Sequence, residues 1–336
     1  MISFLKGVAP QALSPKRWAV GVVVSGAILA FLLWWSAPQG VVQALGEASA
    51  GWIASGLLAM VFVGLCRYVR LWFWVPPSQR SWFLFGVVNA HSLLNHVLPF
   101  RTGELVFPFL LQRATGRAYV VGLSDLFMLR VVELCVLSSC VLVAALSWQL
   151  TEQAAVVMSA RSGWIPLALI FPFVVLLVAL FSGRRVLRVL GTFFDSRPRL
   201  QRLGLLCRQL GDAFAARTWG NLATVFVTTL VMWCGLFVVY YSALSACGID
   251  ASWEETVLGS LGSVVANLLP VNGIGSVGTM EAGWVAGFVL LGKSATSAMA
   301  AGVLLHVMLV AALTAMALFA LPRPNPSSHP QREVSR

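Results

Sequence analysis

Acids are scarce in this chain. Only 12 of its 336 residues are Asp or Glu, against 23 Lys and Arg, and charges of both signs make up 10% of the sequence. Soluble domains carry about a quarter charged residues, so a soluble globular protein is excluded. Histidine is rarer still, with four residues, and the six cysteines form no C-x-x-C pair. Zinc, redox-dithiol and His-rich metal sites are therefore not expected, and neither is a cofactor. The apolar runs do not alternate with polar residues, which excludes a transmembrane β-barrel. No small-residue cleavage site follows the first run, Trp18 to Trp35, so it reads as a retained helix and not as a signal peptide.

What the chain has in abundance is hydrocarbon. Hydrophobic residues make up 59%, and the mean hydropathy is +0.85. Runs at 18–37, 49–68, 118–147, 163–182, 220–246 and 295–320 approach the roughly 20 residues that a membrane-crossing helix needs. Two more apolar stretches, 81–113 and 254–292, are interrupted in the middle. Their arms, about 11 to 17 residues each, rise 1.5 Å per residue and reach part-way or just across a bilayer. The fold class predicted is all-α integral membrane, with about six transmembrane helices and two re-entrant helical hairpins.

Charge placement sets the topology. The net charge of +11 is clustered in a few loops, which suits anionic lipid headgroups and membrane orientation better than nucleic acid. Lys6, Lys16 and Arg17 precede the first run. Arg67, Arg70 and Arg80 are assigned to the loop after the second, Arg113 and Arg117 follow the first broken stretch, and the densest basic block lies at 184–217. The opposite loops hold Glu47, then Glu152 with Arg161, then Asp250, Glu254 and Glu255. Basic and acidic loops fall on opposite sides only if both broken stretches return to the side they left. The positive-inside rule then places both termini in the cytoplasm. Span, span, hairpin, span thus occurs twice, over about 18–147 and 163–320, with the hairpins oppositely oriented. That is an inverted repeat, an architecture of many transporters. Residues 1–321 form one transmembrane domain, the 184–217 segment reads as amphipathic helices on the inner face or a basic topology-fixing loop, and 322–336 as a disordered tail.

The two breaks share a wording. The first has Asn95, Leu98-Pro99 and Thr102-Gly103-Glu104; the second has Asn267, Leu269-Pro270 and Thr279-Met280-Glu281. Pro99 ends the incoming helix, Thr102 is expected to cap the outgoing one, and Glu104 is expected in its first turn. Arg101 at the break is a candidate for binding a phosphate or carboxylate, or else a partner that closes the hairpin onto Glu104. Gly273, Gly275 and Gly278 match G-x-G-x-x-G, yet no β-strand precedes them, so a dinucleotide site is rejected. With Asn272, Ser276 and Thr279 they read as an uncharged anion-binding nest or as a tight turn. Glu281 is expected to repeat the role of Glu104. Arg130 and Glu133, three apart in the third run, read as a packing salt bridge or a substrate contact. His91, near Asn95, and Asp125 are candidates for a proton relay.

On the LP-x-R-x-GE element at Leu98–Glu104, the deep Glu133 and the LPVNGIGSVGTME element, the chain resembles the lysylphosphatidylglycerol synthase transmembrane-region family, as a stand-alone member without the synthase domain. The resemblance implies a bacterial cytoplasmic (inner) membrane location and a flippase-type role in lipid transport. It carries Arg101, Glu104, Asn272, Gly273, Gly275 and Glu281 over as substrate-site residues. The function expected is translocation of a phospholipid, glycolipid or isoprenoid-linked lipid, its headgroup passing between the two tips, and not an enzymatic reaction. The alternatives are a membrane enzyme acting on lipid headgroups, an accessory subunit that recruits a lipid-modifying enzyme through 184–217, and a small-solute transporter. Membrane lipids are the expected partners, nucleic acid is not, and the oligomeric state is open.

Overall fold

A computed structural model describes residues 38–149, 185–197, 200–215, 219–268 and 274–320, with the isolated positions 23, 26 and 182. The predicted spans at 18–37 and 163–182 and the tail from 322 lie outside the described residues, apart from those isolated positions. Every regular element among the described residues is helical. In chain order they are α1 (Pro38–Gly46), α2 (Ala50–Trp74), α3 (Phe83–Val97), α4 (Val106–Thr115), α5 (Tyr119–Gln149), α6 (185–195), α7 (Gln201–Ala215), α8 (Trp219–Ala246), α9 (Trp253–Leu268), α10 (Thr279–Leu290) and α11 (Ala295–Ala320). Four of them, α2, α5, α8 and α11, are long and apolar enough to cross a bilayer. The chain is a multi-pass, all-α membrane protein.

Both interrupted stretches are a helix, a break and a helix. The arms of the first are 15 and 10 residues, those of the second 16 and 12. At 1.5 Å per residue each is shorter than the roughly 30 Å hydrocarbon core. α3 stops because Leu98 precedes Pro99 and is held extended, with φ −80° and ψ 132°. A 3-10 turn over Pro99–Leu105 follows before α4 begins. Thr102 does not cap α4: its hydroxyl donates to the Pro99 carbonyl at 2.9 Å, inside the turn. α9 starts on a capping box, with the Glu255 N–H donating to Ser252 Oγ and the Ser252 N–H donating to Glu255 Oε2. Lys293 Nζ, just beyond α10, reaches Glu255 at 2.8 Å and the Asp250 carbonyl at 2.7 Å, joining the two feet of the second hairpin.

Long helix, broken pair, long helix is the order on both sides of the α6–α7 pair. The two leading long helices, α2 and α8, pack antiparallel: Ser55 meets Ser242 at 3.1 Å, Trp52 meets Tyr241, and Gly235 lies against Phe62 and Val63. Small residues let such backbones approach where no hydrophobic force between helices helps. The seam of the second hairpin carries this further. Gly262 faces Gly283 and Gly259 faces Gly287 so closely that an added Cβ at Gly262 or Gly287 would strike the opposing carbonyl. Gly262→Val is therefore expected to lower the thermal unfolding transition of the purified protein, by the roughly 1–3 kcal/mol typical of overpacking. An unchanged transition would contradict the backbone contact.

Two sequence expectations need correction. α2 does not end near residue 68; it continues to Trp74, so Arg67 and Arg70 belong to the helix and not to a cytoplasmic loop. The aromatic run Trp72–Trp74 extends the apolar stripe past them, and Arg70 is buried. The presumed loop before α2 also holds the short helix α1, which packs against α11, with Gly40 on Thr296. In the basic segment, α6 and α7 form an antiparallel pair held by Arg208–Asp195 at 2.8 Å and Arg188–Asp212 at 3.5 Å. Val186, Val189, Phe193, Leu203 and Leu205 stay exposed on it.

Candidate functional site

Where the two hairpin tips approach each other, α2, α3, α5 and α8–α11 leave a cavity of about 500 Å³. Its size is that of a small-molecule site. Its lining is divided. Leucines of α5 and α11 with Met232, Trp233 and Leu236 of α8 make an apolar side, while α2, α3, the first tip and α5 supply the charges.

Those charges form one chain. Arg101 Nη2 donates to Glu104 Oε1 at 2.8 Å, and Arg130 Nη2 donates to the same oxygen at 2.8 Å. Arg130 Nη1 also donates to Glu133, whose other oxygen accepts from Arg70 at 2.6 Å. His91 Nε2 stands 3.4 Å from Glu104 Oε2. Arg70 further reaches Thr229 Oγ1 at 3.5 Å. Alternation of sign is what permits this many charges in an apolar bundle, since each guanidinium fork finds a carboxylate. Arg67 breaks the pattern. It lines the same cavity, and its buried Nη1 has no hydrogen-bond acceptor among the described residues. Among the described residues, four guanidinium groups thus face two carboxylates, Glu104 and Glu133, leaving a surplus of two positive charges before His91 and His96 are counted.

The tips touch directly. Arg101 Nη1 donates to the carbonyl of Asn267, in the last turn of α9, where the helix dipole favours a cation. Ser276 Oγ donates to the His96 carbonyl at 3.3 Å. Arg101 (φ 54°) and Ser276 (φ 56°) are also the two non-glycine residues with left-handed backbone among the described residues, one in each tip. Such conformations persist where the surroundings hold them, often at ligand sites. Gly103 is required by the closure of the first tip: a Cβ there would meet the Leu94 and Asn95 backbone.

The expected site residues divide. Asn95, Arg101, Glu104, Arg130, Glu133 and His91 come together at the cavity. Arg130 and Glu133 pair as their spacing suggests, and both also face the cavity. Gly275, Ser276, Thr279 and Glu281 do not line it. Glu281 does not repeat the role of Glu104. Its Oε2 accepts the Gly278 N–H at 2.7 Å, so the chain's own carboxylate fills that part of the expected anion nest, and its Oε1 pairs with His306 Nδ1 at 2.5 Å. Asp125 lies apart, buried against Arg117 at 2.8 Å, and does not line the cavity. Asn272 and Gly273 lie outside the described residues. Sequence reasoning missed Arg67, Arg70, His96 and Asn267 at the cavity. The signal for the arginines was present: Met60, Val63, Leu71 and Trp74 mark the buried stripe of α2, and positions 67 and 70 continue its period.

Searches of curated proteins and of solved structures each returned no match. The family model described as Lysylphosphatidylglycerol synthase TM region matches residues 18–317, which takes in both hairpins and every cavity-lining charge. The chain therefore belongs to the lysylphosphatidylglycerol synthase TM region family, a membrane domain associated with lipid headgroup modification or translocation.

Proposed function

We propose that this protein translocates a lipid with an anionic headgroup across the bacterial cytoplasmic membrane. The observation that carries the reading is the cavity's surplus of positive charge, with Arg67 lacking a hydrogen-bond acceptor among the described residues. A phosphate-bearing headgroup supplies the missing anion, because a guanidinium binds phosphate through paired N–H donors. The apolar side of the cavity suits the start of the acyl chains, whose remainder stays in the bilayer.

In this reading the two broken helix pairs are re-entrant hairpins in an inverted repeat, their short arms reaching the midplane from opposite sides. Both termini are cytoplasmic, and the α6–α7 pair lies on the inner leaflet with its arginines toward anionic headgroups. Translocation is favoured over headgroup chemistry by the cavity's two serine hydroxyls. Ser92 Oγ and Ser263 Oγ each donate to a carbonyl of their own helix and not to a base that would activate them.

The test is reconstitution of the full chain into liposomes containing fluorescent phosphatidylglycerol on one leaflet. Wild type is expected to move the probe faster than both empty liposomes and an Arg101→Ala, Glu104→Ala variant. Equal rates in all three would end the proposal.

A further inference from the structure

The tip glutamates of the two halves are matched by partners at nearly equal separations. Glu104 takes Arg130, 26 residues on, from the long helix that follows its hairpin. Glu281 takes His306, 25 residues on, from the long helix that follows its own. A permanently charged guanidinium in one half is thus answered by an imidazole in the other, and imidazole is the side chain that changes charge near neutral pH.

The second pair is closed in. Glu281 is 3% and His306 6% exposed, and neither lines the cavity. With Glu281 as the ionised carboxylate, Oε1 accepts from His306 Nδ1 and Nε2 is the atom left to take a proton. The other Glu281 oxygen holds the Gly278 N–H, at a residue with φ 84° in the turn that leads into α10. Two residues earlier, Ser276 carries the strained backbone of this tip and donates to the carbonyl of His96, which lines the cavity. Contacts therefore run unbroken from His306 through Glu281, Gly278 and Ser276 to the cavity wall. The groups that face the pair are few. His96 of α3 interacts electrostatically with His306, and His96 in turn feels Arg67 of α2 and Arg101 of the first tip. From α8, Tyr240 packs on Trp284 of α10. The arms of α9 that meet α10 present glycines and Ala266.

We propose that Glu281 and His306 are a proton-binding site that couples lipid movement to pH; the coupling, though not the proton site, rests on the translocation reading above. A proton from water adds to His306 Nε2, turning a pair of net charge −1 into a neutral imidazolium–carboxylate pair. Protonation strengthens the hold of His306 on Glu281. Deprotonation loosens that hold and frees the second tip to change its turn.

Two measurements on the full chain test this separately. In lipid nanodiscs, nitrogen-15 NMR of labelled histidine is recorded across a pH series. A titrating signal that disappears in His306→Gln but survives in His91→Gln is expected; absence of any His306-dependent titration overturns the proton site whether or not lipid moves. In liposomes, the rate for fluorescent phosphatidylglycerol is compared across the same range for wild type and His306→Arg, which copies the fixed cation of the first half. The expected result is that the variant, its second tip held throughout, moves lipid at every pH only at the slow rate of wild type at the acid end, so the pH dependence is lost. An unchanged pH dependence overturns the coupling. If His306 titrates but wild type moves no lipid, the proton site stands and the translocation reading, with its coupling, falls.

Discussion

Glu104→Ala is expected to abolish lipid movement and to destabilise the purified protein, by less than the roughly 3–5 kcal/mol that removing one member of a fully buried charge pair costs, since Arg101 is 22% and Arg130 35% exposed. The size follows from how many groups converge on that carboxylate. Arg101 and Arg130 each donate to it at 2.8 Å, and His91 lies 3.4 Å away. Without it Arg101 keeps only the Asn267 carbonyl, and Arg130 must share Glu133 with Arg70. Alanine thus leaves the half-buried Arg101 and Arg130 short of anions. A paired replacement, Glu104→Met with Arg130→Met, removes one charge of each sign and fills the volume with apolar atoms. It is expected to regain most of the stability but none of the transport. Chemical unfolding in detergent and probe movement in liposomes read the two quantities independently. A single alanine variant as stable as wild type would show that the carboxylate does not neutralise these arginines.

Arg67→Met is expected to give the opposite pattern. The buried Arg67 Nη1 has no acceptor among the described residues, so removing it relieves a desolvation penalty and leaves stability unchanged or higher. Transport of phosphatidylglycerol is expected to slow by about tenfold or more, because a charged hydrogen bond contributes roughly 1.5–3 kcal/mol and each 1.4 kcal/mol is a factor of ten. Phosphatidylcholine, whose headgroup has no net charge, is the comparison probe. An equal loss for both lipids, or a less stable protein, would assign Arg67 a packing role in place of anion binding.

How much of this was legible depended on whether the signal was local. Pro99 with the extended Leu98, and the glycines before Thr279, announce breaks within a few residues, so both interrupted stretches were found close to their observed bounds, as were α5, α8 and α11 from their apolar runs. Arg101–Glu104 and Arg130–Glu133 were legible because residues three apart share a face. Arg67 and Arg70 were not, because counting loop charges assumes that an arginine near the end of an apolar run lies outside it. Here α2 runs on to Trp74 and carries both toward the cavity. That transfer also removes two charges from the loop count on which the topology was argued. His306 was passed over because nothing in its own neighbourhood marks it. Its partner is 25 residues away, and the equivalence with Arg130 is visible only once both tip glutamates have been placed. The contact of Arg101 with Asn267 was invisible for the same reason: it joins residues 166 apart.

The glycine seam of the second hairpin has a mechanical result. With backbone resting on backbone at Gly262–Gly283 and Gly259–Gly287, and Ala266 and the Phe288 ring packed into the same seam, α9 and α10 have little room to slide and are expected to move as one plank. Its feet are stapled by Lys293 to Glu255 and Asp250, with the left-handed Gly248 (φ 70°) and Gly292 (φ 80°) next to the stapled residues. α9 has 16 residues, a lever of about 24 Å at 1.5 Å per residue. A tilt of about 5° at the feet therefore displaces the far end by about 2 Å, which is enough to part Asn267 from Arg101. A small rotation at the feet is therefore expected to break the Arg101–Asn267 contact, one of the two that join the tips.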